Sequence, residues 1–193
     1  MAPDPRSDIA GWLRAQPVLT GVAPPLDERD LPADPVELFV DWLALAAARG
    51  VPEPHAAVLA TVDADGMPDA RTLILKDVDD RGWAFASLAS SRKAEQLRAN
   101  PAAALSFWWP AQLRAVRVRG PVSEATPAES AADLAARSPA ARQEVEPGDW
   151  ALWRLDPDRV EFWQGSPDRQ HTRIVYEREP GGPYRREGAS DRE

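Results

Sequence analysis

The sequence has no cysteine, only two histidines and no long apolar run. Without cysteine there are no disulfides, no thiolate metal sites and no cysteine nucleophile, which fits a reducing compartment. No segment approaches the roughly 20 apolar residues that a membrane helix needs. Residues 1–7 carry acidic residues and proline where a signal peptide would have a basic and then an apolar segment. We therefore expect a cytoplasmic protein that does not contact a membrane.

Acidic residues outnumber basic ones, because the sequence has 31 Asp and Glu and 23 Lys and Arg, which gives a formal net charge of −8. An acidic surface repels the backbone of nucleic acid, so we expect no nucleic-acid partner. A small anionic ligand must then meet a local cluster of Arg and Lys. His55 and His171 lack the accompanying side chains of a hydrolytic triad or of a His/Asp metal site, so no metal is expected.

Proline, aspartate and glycine divide the chain into three parts. Residues 1–34 are rich in Pro and Asp and predict an arm that is partly disordered. Residues 35–179 predict a single domain, and residues 180–193 predict a disordered tail.

Within the domain, the apolar pattern changes from a helical period to a strand period near residue 55. A helix is predicted over residues 35–49, capped by Asp34 and closed by Gly50. The apolar residues assigned to its buried face are Val36, Phe39, Val40, Leu43 and Ala47. Strands are predicted over residues 55–62, 70–76, 83–88, 103–109, 113–122, 159–163 and 172–179, and helices over 91–99 and part of 127–143. Such a series predicts a mainly β (α+β) fold built on an antiparallel barrel, which leaves no exposed edge.

The strongest chemical signal is Ser91-Arg92-Lys93, placed where a strand ends and a helix begins. A helix N-terminus offers unpaired N–H groups and a positive dipole end, and these three side chains would complete a phosphate site. The alternative is an ordinary serine cap beside two solvated cations. A cation at a helix N-terminus is unfavourable without an anion, so the two interpretations stand about level.

Two further groups of cations accompany it. Arg71 and Lys76 lie five residues apart on one predicted strand and would point to opposite faces of a regular strand. Each either extends to solvent at a strand end or meets a buried anion. Farther on, Arg169, His171 and Arg173 would share one strand face, either against an anion or along a solvent-facing edge.

Most of the eight tryptophans are expected in the core, except Trp163, which leads into the Arg/His group. Trp108 and Trp109 end a strand and are candidates for a subunit interface.

Five motifs taken together resemble the pyridoxamine 5'-phosphate oxidase family, over roughly residues 26–178. The motifs are residues 29–35 (RDLPADP), 71–76 (RTLILK), 91–93 (SRK), 162–165 (FWQG) and 169–173 (RQHTR). The resemblance implies a split β-barrel homodimer that binds flavin mononucleotide (FMN) between its subunits. It also implies hydride transfer from substrate C4' to flavin N5, followed by reoxidation with oxygen to give hydrogen peroxide.

Site residues follow from the same resemblance. It implies that the flavin phosphate and ribityl chain are held by Arg71, Ser91, Arg92 and Lys93. The ring region would be lined by Lys76, Trp163 and Arg173, with Ser87 where the family usually has threonine. The small-molecule substrate, pyridoxine or pyridoxamine 5'-phosphate, would meet Lys76, Arg169 and His171, the last two as catalytic residues.

The sequence departs from the family at the grip on the substrate phosphate, where a Tyr, an Arg and a Ser are expected. Arg137 and Arg142 are present in that region but not in the expected positions, and Ala115 replaces a glutamine near the flavin. A family segment that touches flavin is missing between Gln143 and Trp150. These departures leave two alternatives open: an oxidase for another ring substrate, of the phenazine-biosynthesis type, or a flavin-binding protein without turnover.

Overall fold

The computed structural model describes residues 4–187. Its helices are α1 Ile9–Arg14, α2 Pro35–Ala48, α3 Arg92–Ala99, α4 Pro127–Ala136 and α5 Pro139–Gln143, with short 3-10 turns at Glu28–Asp30 and Pro110–Gln112. Its strands are β1 Ala56–Val62, β2 Pro68–Asp79, β3 Gly82–Ser87, β4 Ala102–Trp109, β5 Arg114–Glu124, β6 Ala151–Leu155, β7 Arg159–Gln164, β8 Thr172–Glu177 and β9 Arg185–Arg186. No helix in this part of the chain has both the length and the apolar character of a membrane span.

The strands form a closed barrel from which a second sheet departs. Strands β4, β1, β2, β3, β6 and β5 follow one another in antiparallel pairs, and the pairing of β4 with β5 closes the ring. The other edge of β5 is shared, because residues 114–119 pair with β7 and residues 122–124 pair with β6. Strands β7, β8 and β9 therefore leave the ring at β5. The predicted antiparallel split barrel with flanking helices is confirmed.

Helix α2 covers the core, and its buried face differs from the predicted one. Phe39 lies 4.3 Å from Trp83 between ring centroids, and Trp42 packs edge-on against Phe162 at 5.2 Å. Val40, which was assigned to the core, remains 48% exposed. Because α2 is apolar around most of its circumference, its period allows two faces, and the face with the larger aromatic rings buries more area. The buried residues are Pro35, Leu38, Phe39, Trp42 and Ala46.

Strand β6 was not predicted. All five of its residues are buried, so they show no alternation of polar and apolar side chains. It pairs with β3 along one edge and with residues 122–124 along the other. One face belongs to the core through Ala151, Trp153 and Leu155, and α4 covers the other, where Arg154 Nη2 lies 3.5 Å from Glu129 Oε1.

Both chain ends contact the body of the domain over the described residues. In the arm, the Val22 N–H donates to the Ala111 carbonyl at 2.9 Å, and the Tyr176 hydroxyl donates to the Pro32 carbonyl at 2.8 Å. In the tail, β9 pairs with β8, and Tyr184 packs against the Arg178 guanidinium 4.8 Å from its ring centre. These contacts tie both segments to the sheet. Residues 1–3 and 188–193, which the predicted arm and tail also include, lie outside the described part.

Candidate functional site

Helix α3 begins at Ser91 without a side-chain cap. The Ser91 hydroxyl donates instead to the Leu88 carbonyl at 2.7 Å, so it does not accept from the first helical turn. An uncapped start leaves N–H groups and the positive end of the helix dipole open to an anion. The other four α-helices begin with a side chain that accepts from the first turn, and these caps are Asp8, Asp34, Thr126 and Ser138.

Three cations gather beside this helix start and form what we call the cationic cluster: Arg71, Arg92 and Lys93. Asp69 is paired with two of them, since its Oδ2 lies 2.9 Å from Arg71 Nη2 and 3.7 Å from Arg92 Nε. Burial and the charge of Arg71 lower the pKa of Lys93. One carboxylate does not balance three cations, so the cluster suits an additional anion such as a phosphate.

Arg71 is fixed from the side of the core by two buried polar residues. Its Nη1 donates to Thr61 Oγ1 at 2.5 Å, and its Nη2 donates to Gln96 Oε1 at 2.9 Å. Thr61 and Gln96 are 1% and 3% exposed. The guanidinium is therefore held in one place before any ligand arrives.

Ser87 and Lys76, also predicted for this site, lie on the strands that lead to it. Ser87 is 5% exposed, and its Oγ accepts from Trp153 Nε1 at 3.3 Å and lies 3.5 Å from Ser91 Oγ. Lys76 is exposed within a β-bulge between Leu75 and Asp77. Because a bulge interrupts the alternation of side chains, the prediction that Arg71 and Lys76 occupy opposite faces of a regular strand does not apply.

A second group, the aromatic cluster, consists of Trp108, Trp163 and His171. The ring centroids of Trp108 and Trp163 lie 6.0 Å apart, and those of Trp163 and His171 lie 5.0 Å apart. Trp108 is 50% exposed, whereas Trp109, the other interface candidate, is buried in the core and donates to the Pro54 carbonyl. A half-exposed row of rings offers a stacking surface for a planar ligand.

Arg169 and His171 do not lie on a strand, so the predicted Arg/His stripe along one strand face is wrong. Strand β8 begins at Thr172, and Arg169 has a left-handed backbone with a φ of 67°. The cause is local, because Asp168 Oδ1 accepts from the Gln170 N–H at 2.9 Å and from the Ser166 hydroxyl, which forms a turn. The turn places His171 against Trp163 and leaves Arg169 exposed.

Arg173 is on β8 as predicted, and it forms an ion pair with Glu161, a residue that the sequence analysis did not identify. Its Nε lies 3.7 Å from Glu161 Oε1, and Glu161 is 5% exposed. Arg117 and Arg159 also pair with this carboxylate. A buried glutamate thus holds three arginines on the side of the sheet that carries Trp163.

The two clusters lie on different faces of the sheet. Arg71 is paired with Leu59, whose side chain is fully buried in the barrel. Trp163 is paired with Ala115, which is paired in turn with the half-exposed Trp108 on the outer face. Within residues 4–187, no hydrogen bond, ion pair or ring contact connects the two clusters. One copy of the chain therefore carries the two clusters on separate surfaces.

The two arginines considered as substitutes for the missing phosphate grip have local partners. Arg137 stacks on Trp150, with its guanidinium carbon 4.4 Å from the ring centre. Arg142 donates to the Ala135 carbonyl at 3.5 Å. Neither contact brings an arginine to the cationic cluster or to the aromatic cluster.

Sequence reasoning missed Thr61, Asp69, Gln96 and Glu161. Glu161 gave no usable signal, because the alternation of β7 puts Val160 and Phe162 on the apolar face and Glu161 on the other. Gln96 gave none either, because the apolar face of α3 is formed by Ala94 and Leu97. Thr61 and Asp69 gave none, since threonine is common in strands and aspartate is common near turns.

Comparisons with known proteins match this chain over most of its length. Residues 43–164 match the family model described as pyridoxamine 5'-phosphate oxidase, and residues 150–188 match the pyridoxine 5'-phosphate oxidase C-terminal dimerisation region. A pyridoxine/pyridoxamine 5'-phosphate oxidase from Cupriavidus necator is 39% identical over 190 residues, which cover 82% of this chain and 90% of the relative. Since 82% of this chain is about 158 residues, about 32 aligned positions have no counterpart here. A missing segment between Gln143 and Trp150 would produce such a shortfall.

Two solved structures share the fold. PhzG from Burkholderia lata, in complex with tetrahydrophenazine-1-carboxylic acid, is 27% identical with a TM-score of 0.79, covering 86% of this chain and 98% of that chain. A pyridoxamine 5'-phosphate oxidase-related, FMN-binding protein from Nostoc punctiforme is 19% identical with a TM-score of 0.67, covering 81% and 98%.

Proposed function

The chain belongs to the pyridoxamine 5'-phosphate oxidase family, and we propose that this oxidoreductase uses FMN to convert pyridoxine or pyridoxamine 5'-phosphate to pyridoxal 5'-phosphate, with oxygen as the acceptor. The observation that carries the proposal is the cationic cluster at the uncapped start of α3. It combines a helix N-terminus, two guanidiniums and an ammonium, which is the chemistry that a terminal phosphate requires.

In this proposal, different side chains of the protein contact different parts of the cofactor. The phosphate and the ribityl chain are held by Arg71, Arg92, Lys93 and Ser91, and Ser87 lies next to Ser91. Trp163, Arg173 and Lys76 adjoin the ring. FMN, when bound, supplies the oxidising chemistry, and the protein orients the substrate against it.

We propose that two copies are needed to complete each site. The cationic and aromatic clusters lie on different faces of one copy, so a single flavin meets both only if the second comes from a partner subunit. The match of residues 150–188 to a dimerisation region and the half-exposed Trp108 support a homodimer.

Arg169 and His171 are the proposed substrate residues. His171 Nδ1 accepts from the Ser166 N–H at 3.0 Å, so the neutral ring carries its proton on Nε2. That N–H can donate to a ring hydroxyl or to an anionic group of the substrate. The exposed guanidinium of Arg169 can bind a phosphate or a carboxylate through two parallel hydrogen bonds.

A second candidate is an oxidase that acts on another ring substrate, as in phenazine biosynthesis. Two observations favour it: the match to almost the whole PhzG chain, and the local partners of Arg137 and Arg142, which leave the substrate phosphate without its additional grip. Both candidates use the same flavin site and differ in what Arg169 and His171 bind.

Arg92→Ala tests the flavin site. Loss of a charged hydrogen bond to phosphate costs roughly 1.5–3 kcal/mol, so FMN affinity should fall by about one to two decades in a fluorescence titration. Arg98→Ala is the matched control, because Arg98 lies on the same helix but pairs with Glu124 at 3.2 Å. Unchanged FMN affinity in Arg92→Ala would place the phosphate elsewhere.

A further inference from the structure

We infer that Gln96 is a positioning residue for the cofactor phosphate, acting through Arg71. The inference rests on the proposed function, since it presumes that the cationic cluster binds FMN. Gln96 is on α3, 25 residues along the chain from Arg71 on β2, and its Oε1 lies 2.9 Å from the Arg71 guanidinium. It does not itself belong to the cluster of charges that would meet the phosphate.

Hydrogen bonds to Gln96 connect the Arg71 side chain on β2 to helix α3. Its single Oε1 accepts from Thr61 Oγ1 at 2.6 Å and from Arg71 Nη2 at 2.9 Å. Thr61 Oγ1 in turn accepts from Arg71 Nη1 at 2.5 Å. The three side chains come from α3, β1 and β2, and they form a closed set of hydrogen bonds. One amide therefore fixes the strand-borne guanidinium relative to the helix start that carries Arg92 and Lys93.

Burial makes this arrangement effective. Gln96 and Thr61 are almost fully buried, so their hydrogen bonds do not compete with water. Arg71 would otherwise distribute over several rotamers, and ordering it when the phosphate arrives would reduce affinity. Holding the guanidinium beforehand removes that cost.

The neutrality of Gln96 also matters. Asp69 also holds Arg71. Although partial burial acts to raise the pKa of Asp69, the hydrogen bond from Gln96 and the charges of Arg71 and Arg92 keep that pKa below its usual value. An ionised Asp69 competes with a phosphate for the same cations. An amide orients Arg71 without cancelling its charge, so it strengthens phosphate binding where a second carboxylate would oppose it.

The test is a double-mutant cycle on FMN affinity. Gln96→Met removes the amide at similar volume, and it should raise the FMN Kd on the order of 10-fold in the wild-type background. In an Arg71→Ala background the same change should alter Kd by less than about twofold, because its target is gone. Gln112→Met is the control: Gln112 is an equally buried amide that donates to the Leu45 carbonyl, and its loss should leave Kd unchanged.

The outcomes separate this inference from the proposed function. If the wild type does not bind FMN, the proposed function fails. If it does, and Gln96→Met either binds FMN as tightly as the wild type or weakens it equally in both backgrounds, only the role of Gln96 fails. Thr61→Val, which removes one hydroxyl and keeps the shape, carries the same test should Gln96→Met not fold, with a smaller expected rise in Kd.

Discussion

Charge at the level of single residues explains why the cationic cluster suits an anion. Lys93 is half-buried beside Arg71, and both burial and that like charge lower its pKa. A phosphate placed between them would favour the charged form of Lys93 and offset the repulsion. Asp69 already provides part of this compensation for Arg71 and Arg92. The unliganded cluster is therefore organised by one carboxylate and by the neutral pair Thr61 and Gln96.

The spacing of single residues in the sequence does not determine the surroundings of the predicted cations. It was the family resemblance that grouped Arg71 with Arg92 and Lys93, and these three side chains lie near one another in the structure. The spacing of Arg169 and His171 suggested a shared strand face, which the Asp168 turn prevents. Side-chain bonds to nearby backbone compete with strand pairing, and spacing alone does not show which arrangement wins.

At the scale of elements, four of the described α-helices have a side-chain N-cap, whereas α3, which follows Ser91, has none. Thr126 and Glu129 form a reciprocal capping box at α4. Thr126→Ala should cost about 1 kcal/mol and lower Tm by about 2–4 °C without changing FMN affinity. Ser91→Ala loses an exposed bond to the Leu88 carbonyl and a long 3.5 Å bond to Ser87 Oγ, so it should cost roughly 0.5 kcal/mol yet weaken FMN binding.

Thermal unfolding and FMN titration of the two variants check this contrast. A Ser91→Ala protein that loses as much stability as Thr126→Ala, with unchanged FMN affinity, would mean that Ser91 serves as an ordinary cap.

The elements that could be predicted are those with a local signal. The start of α2 was predicted because Asp34 and Pro35 are a cap and a first-turn residue, and the structure confirms both. Strand β6 was missed because the core and helix α4 cover its two faces, which removes the alternation. The face of α2 was misassigned because only the tertiary partner Phe162 selects Trp42 over Val40.

At the scale of the whole molecule, the outer sheet face should be where two copies meet. Trp108 is 50% exposed on that face, beside the small side chain of Ala115 and next to Trp163. Trp108→Glu places a charge there, and we expect sedimentation to show a shift from dimer to monomer together with weaker FMN binding. Ile9→Glu is the control, because Ile9 is a similarly exposed apolar residue on α1.

A wild-type protein that sediments as a flavin-loaded monomer would contradict the shared site. A Trp108→Glu dimer with unchanged FMN affinity would move the interface to another surface.

Anaerobic flavin reduction tests most directly whether this chain oxidises a phosphorylated B6 vitamer with its flavin. FMN-loaded protein mixed with pyridoxamine 5'-phosphate in the absence of oxygen should lose its visible flavin absorption and regain it when oxygen is admitted. Arg169→Ala should keep the flavin but reduce it more slowly, because losing about 2–4 kcal/mol of transition-state stabilisation is about a 30- to 1000-fold drop. A wild-type flavin that stays oxidised with both pyridoxamine and pyridoxine 5'-phosphate would contradict the account.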